Sequence, residues 1–110
     1  MQERRRYTRY YPDLKVRYIY VRGMVAVEED TRLKDLSING MGLCLSSVVK
    51  KGDVFIVEMN LPLIGTISAI AKVVWIKERT NYSEAGVIFD WISSIDKLAK
   101  YIQRLQLMAA

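Results

Sequence analysis

Residues 14–21 read Leu-Lys-Val-Arg-Tyr-Ile-Tyr-Val, and their alternation decides the class of fold. Leu14, Val16, Tyr18 and Tyr20 fall on one side and Lys15 and Arg17 on the other, the period-two pattern of a half-buried strand. Working outward, β-rich runs recur at 24–27, 31–36, 41–45, 54–60, 66–77 and 85–91. Punctuation falls between them: Gly23, the acidic triplet Glu28-Glu29-Asp30 read as a turn, Lys50-Lys51-Gly52-Asp53, a hairpin connection over 61–65, and a polar loop over 78–84. Only the carboxyl end reads as helix, over 94–107. Ser94 is placed to cap it, and Ile95, Leu98, Ala99, Ile102 and Leu105 share one face. Many short strands without intervening helices favour a closed or nearly closed antiparallel barrel with a terminal helix packed on it.

At 110 residues and 51% hydrophobic content the chain has the size and core of one domain, 1–110. Cys44 is its single cysteine, so no intrachain disulfide is possible and a reducing compartment fits. The amino terminus leads from arginines into tyrosines, which does not read as a signal peptide, and no run approaches the roughly 20 apolar residues that span a bilayer. A soluble, cytoplasmic protein without membrane insertion is the expectation.

The chain contains no histidine. The usual imidazole bases, thiol–imidazole pairs and zinc sites are therefore excluded, and Cys44 reads as an inert thiol in an apolar strand. Glu28, Glu29 and Asp30 read as solvated rather than as an acid–base pair, and no glycine-rich phosphate loop follows any strand. This inventory points to binding and away from an enzyme or a cofactor.

Charge locates the binding. Residues 1–22 hold Arg4, Arg5, Arg6, Arg9, Lys15, Arg17 and Arg22 against Glu3 and Asp13, which accounts for the whole net charge of +5. An anionic partner would be drawn to this arginine-rich arm, residues 1–12, which precedes the first strand and is expected to be flexible. Arginine suits a nucleotide, because its planar fork pairs with phosphate oxygens or a guanine edge and its face stacks on a base. Further on, Asp35-Leu36-Ser37-Ile38-Asn39-Gly40 supplies a carboxylate able to accept from the guanine N1 and N2 edge. In an extended segment the Ser37 hydroxyl lies on the same side, and Gly40 permits a sharp turn or close backbone approach. The same residues also suit local turn hydrogen bonds, and Trp75 and Trp91 read as core or barrel-to-helix packing.

The arm Arg5-Arg6-Tyr7-Thr8-Arg9 and the segment containing Asp35, Ser37 and Gly40 resemble the PilZ domain family, whose hallmark is an R-x-x-x-R arm followed by [D/N]-x-S-x-x-G on a barrel. Ala71-Lys72-Val73-Val74-Trp75, Ala85-Gly86-Val87-Ile88-Phe89 and the terminal helix extend the likeness over the chain. The resemblance implies a six-stranded antiparallel β-barrel of the PilZ split-barrel type over 14–91. It also implies a receptor for the bacterial second messenger cyclic di-GMP, with Arg5 and Arg9 on its phosphates and guanines, Asp35 and Ser37 beneath a guanine, and Gly40 shaping the turn. Arg4 is a candidate for a second ligand molecule. Ordering of the arm on binding would signal to a downstream protein partner. Two other readings stay open at this point: a ligand-independent PilZ-like adaptor, and a small basic barrel binding single-stranded nucleic acid. The balanced charge of residues 23–110 speaks against the last.

Overall fold

The alternating run at residues 14–21 becomes β1 (Lys15–Arg22), followed by β2 (Val25–Leu36), β3 (Gly40–Leu45), β4 (Val54–Leu61), β5 (Gly65–Glu78), β6 (Ser83–Ile92) and α1 (Ile95–Ala109). The structure is a computed structural model that describes residues 7–22, 24–46 and 49–109. All strand pairs are antiparallel, and the order β1-β2-β3-β6-β5-β4, with β4 returning to β1, closes the barrel. Closure leaves no free sheet edge, so six strands pair their backbone groups without a second sheet. Leu14, Val16, Tyr18, Leu43, Leu45, Val57, Met59, Ala69 and Val73 point inward and are almost fully buried.

Two boundaries differ from the sequence reading. Glu28, Glu29 and Asp30 are not a turn but the middle of β2, in register with Ile19, Tyr18 and Arg17. Two of the three charges are met there: Asp30 pairs with Lys15 at 3.3 Å and Arg17 at 3.5 Å, and Glu29 accepts from the hydroxyls of Tyr18 and Ser46. The Lys15 ammonium holds the Asp30 carboxyl below its ordinary value. The loop at 78–84 shrinks to four residues, because β5 and β6 pair as far as Glu78↔Ser83.

Three register shifts shape the outer surface. Each inserts one extra residue into one strand and so exchanges inward and outward faces beyond it. In β2 the shift lies between Leu33 and Asp35, in β5 between Val73 and Trp75, and in β6 at Asp90, opposite the Ile70–Ala71 step of β5. Consequently Leu33 and Leu36, Val73 and Ile76, and Phe89 and Ile92 all pack on the core at a spacing of three. Trp75 and Trp91 are turned outward, 38% and 54% exposed, which corrects the core part of the expectation of core or barrel-to-helix packing. Cys44 likewise lies on the outer side of β3 and is half-buried.

Helix α1 packs on the barrel beside β5, with Leu98 and Tyr101 in the core. Ser94 Oγ accepts the Lys97 N–H at 3.2 Å as a cap. The buried stripe consists of Leu98 and Tyr101 with Ile102 and Leu105 beside them, while Ile95, expected on that face, is exposed. Burial pushes the Tyr101 phenol above its ordinary value. Among the described residues no helix is long and apolar enough to cross a membrane.

At Gly40 the backbone of β3 lies hard against β6. A Cβ built there would stand 2.1 Å from the Val87 carbonyl oxygen, backbone that cannot swing aside. Gly40→Ala should therefore destabilise the fold by about 1–3 kcal/mol or more, the usual range for overpacking. Urea unfolding followed by far-UV circular dichroism checks it, and an unchanged midpoint would contradict the close approach.

Candidate ligand-binding surface

The register shift in β2 decides where Asp35 goes. Strict alternation from Leu33 would aim its carboxylate into an apolar barrel, where an unpaired charge is costly. The extra residue at Lys34 instead places Asp35 outside, in register with Gly42 of β3. Both Asp35 oxygens lie 3.1 Å from where a Gly42 Cβ would be, so only glycine lets the carboxylate lie flat on the sheet. Arg9 Nη1 donates to Asp35 Oδ1 at 2.6 Å, and this pair is largely sheltered from solvent.

Arg9 reaches Asp35 because the end of the arm is tied to the barrel. Tyr10 and Leu36 exchange two backbone hydrogen bonds of 2.8 Å, and Leu33 N–H donates to the Leu14 carbonyl at 2.9 Å. The Tyr10 hydroxyl accepts from Gln106 Nε2 at 2.9 Å, joining arm to α1. Arg4 and Arg5 lie outside the described residues, so of the arginines assigned to the ligand Arg9 alone is placed.

Ser37 and Gly40 belong to the turn that leaves β2. Ser37 N–H donates to the Gly40 carbonyl at 2.9 Å, and the Ser37 hydroxyl donates to Asn39 Oδ1 at 2.7 Å. The turn is anchored to β6 by Phe89 N–H on the Asn39 carbonyl at 2.8 Å. Ser37 is almost fully buried, and its oxygen keeps acceptor capacity while its proton is in use.

Continuing across the outer face, Gly42 is in register with Gly86 of β6, and Gly86 with Trp75 of β5. The Trp75 indole lies directly on Gly86, its Nε1 2.0 Å from where a Cβ would be. One line across four strands therefore runs Asp35, Gly42, Gly86, Trp75. It is a glycine floor about 14 Å long from end to end, roofed at Gly42 by the Asp35 carboxylate and at Gly86 by the Trp75 indole, so that both glycines are buried. The carboxylate with its guanidinium and the outward indole are groups that suit a planar, hydrogen-bonding heterocycle. Gly42, Gly86 and Trp75 were not singled out as site residues from sequence. Glycine inside a strand is the signal for close approach, but its partner across the sheet is not readable without register.

One rung away, Glu84 is buried between Lys34 at 2.7 Å and Arg79 at 3.5 Å. The hydrogen bond from Lys34 lowers the Glu84 pKa and correspondingly raises that of Lys34.

Comparison with known proteins agrees with this architecture. The PilZ domain of YcgR from Escherichia coli, solved with c-di-GMP, superposes with a TM-score of 0.72 at 22% identity, covering 97% of this chain and 95% of that one. YcgR from Escherichia coli in complex with c-di-GMP gives 0.76 at 27% identity, covering 97% and 48%. The Bacillus subtilis inhibitor of motility MotI/DgrA gives 0.76 at 21% identity, covering 99% and 54%. The chain thus spans about half the length of the last two. No curated protein sequence matches it. A scan against protein families matches the PilZ domain over residues 3–105, and the chain belongs to that family.

Proposed function

We propose that the protein is a non-enzymatic, cytoplasmic receptor for cyclic di-GMP. The observation that carries this reading is the Arg9–Asp35 pair at the end of β2, standing in one line with Gly42, Gly86 and the outward Trp75. Family membership and the c-di-GMP named for two of the similar structures support the choice of nucleotide.

In this reading a guanine lies against the Asp35 carboxylate or the Trp75 indole, the two groups that cover Gly42 and Gly86. Asp35 accepts hydrogen bonds from its N1 and N2 edge, and Trp75 walls the far side. The Ser37 oxygen accepts at the turn, and Gly40 keeps β3 against β6 so that the floor stays level. Arg9 exchanges part of its contact with Asp35 for phosphate or guanine, and Arg5 supplies the second fork from the arm. Arg4 neutralises a second, stacked ligand molecule. Gathering of the arm around the ligand alters the surface near Tyr10 and α1, which a downstream protein partner reads.

Isothermal titration with cyclic di-GMP, with GTP and short single-stranded DNA as controls at two salt concentrations, tests the reading. Saturable binding of cyclic di-GMP alone is expected. Silence from a folded protein would leave the ligand-independent adaptor, and strongly salt-dependent DNA binding would leave the nucleic-acid barrel.

Arg5→Ala and Arg9→Ala should each weaken binding by about 2–5 kcal/mol with the fold intact, as expected for losing a charged hydrogen-bonded partner. Unchanged affinity in both would place the site elsewhere. Asp35→Ala should narrow the preference for cyclic di-GMP over cyclic di-AMP, and Trp75→Ala should lower affinity without changing stoichiometry. For Arg4, wild type is expected to take up two ligands per chain and Arg4→Leu one. One ligand in both would remove its assigned role.

A further inference from the structure

Between Arg9 and Leu14 the chain that precedes β1 runs along the edge of β2. The Leu14 carbonyl accepts the Leu33 N–H, Asp13 accepts from Arg32 Nη1 at 3.1 Å, and Tyr10 and Leu36 close a bridge of two backbone bonds. Arg9, next to that bridge, reaches Asp35. A further attachment goes to a different element: the Tyr10 hydroxyl accepts from Gln106 Nε2 of α1, 96 residues away along the chain, at 2.9 Å.

The barrel core sets the position of Gln106. Leu98, Tyr101, Ile102 and Leu105 pack α1 against the core, and Gln106 stands one turn beyond Ile102 and next to Leu105, at the border of that stripe. Its side chain is therefore carried to Tyr10 by a helix that is itself fixed. A bridge of two bonds near the start of a chain opens readily, because few contacts repay the ordering of its backbone. A bond from Tyr10 to a packed helix adds a restraint at the residue beside Arg9.

We infer that α1 is a positioning element for the arm: Gln106, acting through the Tyr10 hydroxyl, holds the Tyr10–Leu36 bridge closed and so keeps Arg9 at Asp35 before any ligand arrives. This deepens the receptor reading and rests on it for the identity of the ligand. Tyr10 and Gln106 are then positioning residues for cyclic di-GMP, since an arm that is already docked has less freedom to lose on binding. The coupling is reciprocal. A ligand that gathers the arm strengthens the Tyr10–Gln106 bond, and displacement of the last turn of α1 weakens the ligand by the same factor.

Amide hydrogen exchange on the full chain without nucleotide reads the bridge directly, because the Tyr10 N–H is one of its two donors. Tyr10→Phe removes only the hydroxyl, and Gln106→Ala removes the group that donates to it. Each should speed exchange at Tyr10 about twofold to tenfold, the range for one neutral hydrogen bond, and leave the fully buried Val57 unchanged. Isothermal titration with cyclic di-GMP should show the dissociation constant raised by a similar factor in each variant. The double variant should be no weaker than either single, because both changes remove the same bond. Gln103→Ala, at an exposed position of the same helix, should match wild type in both measurements. Exchange at Tyr10 that is unchanged in both variants overturns the inference, as does a dissociation constant that stays the same or falls, or a double variant in which the two losses add. A wild-type chain that binds no cyclic di-GMP removes the receptor reading instead, and exchange at Tyr10 still decides whether α1 holds the arm.

Discussion

A six-stranded barrel this small has room inside only for apolar side chains, and the rest of the molecule follows from how the strands obey that limit. Strict alternation would put Asp35, Trp75 and Trp91 inside with Leu33, Val73 and Phe89. One carboxylate and two indoles do not fit there, the first for desolvation and the others for volume. Each is removed by one extra residue, after which Leu36, Ile76 and Ile92 resume the core. The irregularities in the sheet are thus what separates the interior from the functional exterior.

The same shifts align the exterior. Because Asp35 and Trp75 are moved outward on β2 and β5, they share a line with Gly42 and Gly86 on the two strands between. A side chain on either glycine would meet a site residue, Asp35 in one case and Trp75 in the other. The floor is therefore a property of four strands jointly, as is the shelter of the Arg9–Asp35 pair. That pair gives a nearly buried carboxylate a cation in place of water, and Tyr10 keeps the cation at hand through its backbone exchange with Leu36.

Much of this was legible in the sequence, for a definite reason. Period-two alternation and a capped, amphipathic carboxyl end gave strand after strand and one helix. Paired motifs pointed to Arg9, Asp35, Ser37 and Gly40, which the structure gathers around the end of β2. What was misread shares one cause. Glu28-Glu29-Asp30 looks like a turn because local composition is blind to the Lys15, Arg17 and Tyr18 that receive those charges from the neighbouring strand. Trp75 and Trp91 look like core because alternation continues smoothly through a bulge on paper. Apolar residues three apart within a strand, such as Leu33 and Leu36, were the available sign. Gly42 and Gly86 acquire meaning only through register, which pairs residues 44 positions apart.

Trp75 and Trp91 are expelled by bulges on the same pair of strands, for Trp75 is in register with Gly86 and Trp91 with Ile70 across β5 and β6. The extra residue lies on β5 in the first case and on β6 in the second, so each strand gains one residue and the pair stays in step over its length. Two bulges on one strand would have shifted the register cumulatively; one on each keeps Val73 and Val87 paired in the core between the two outward indoles.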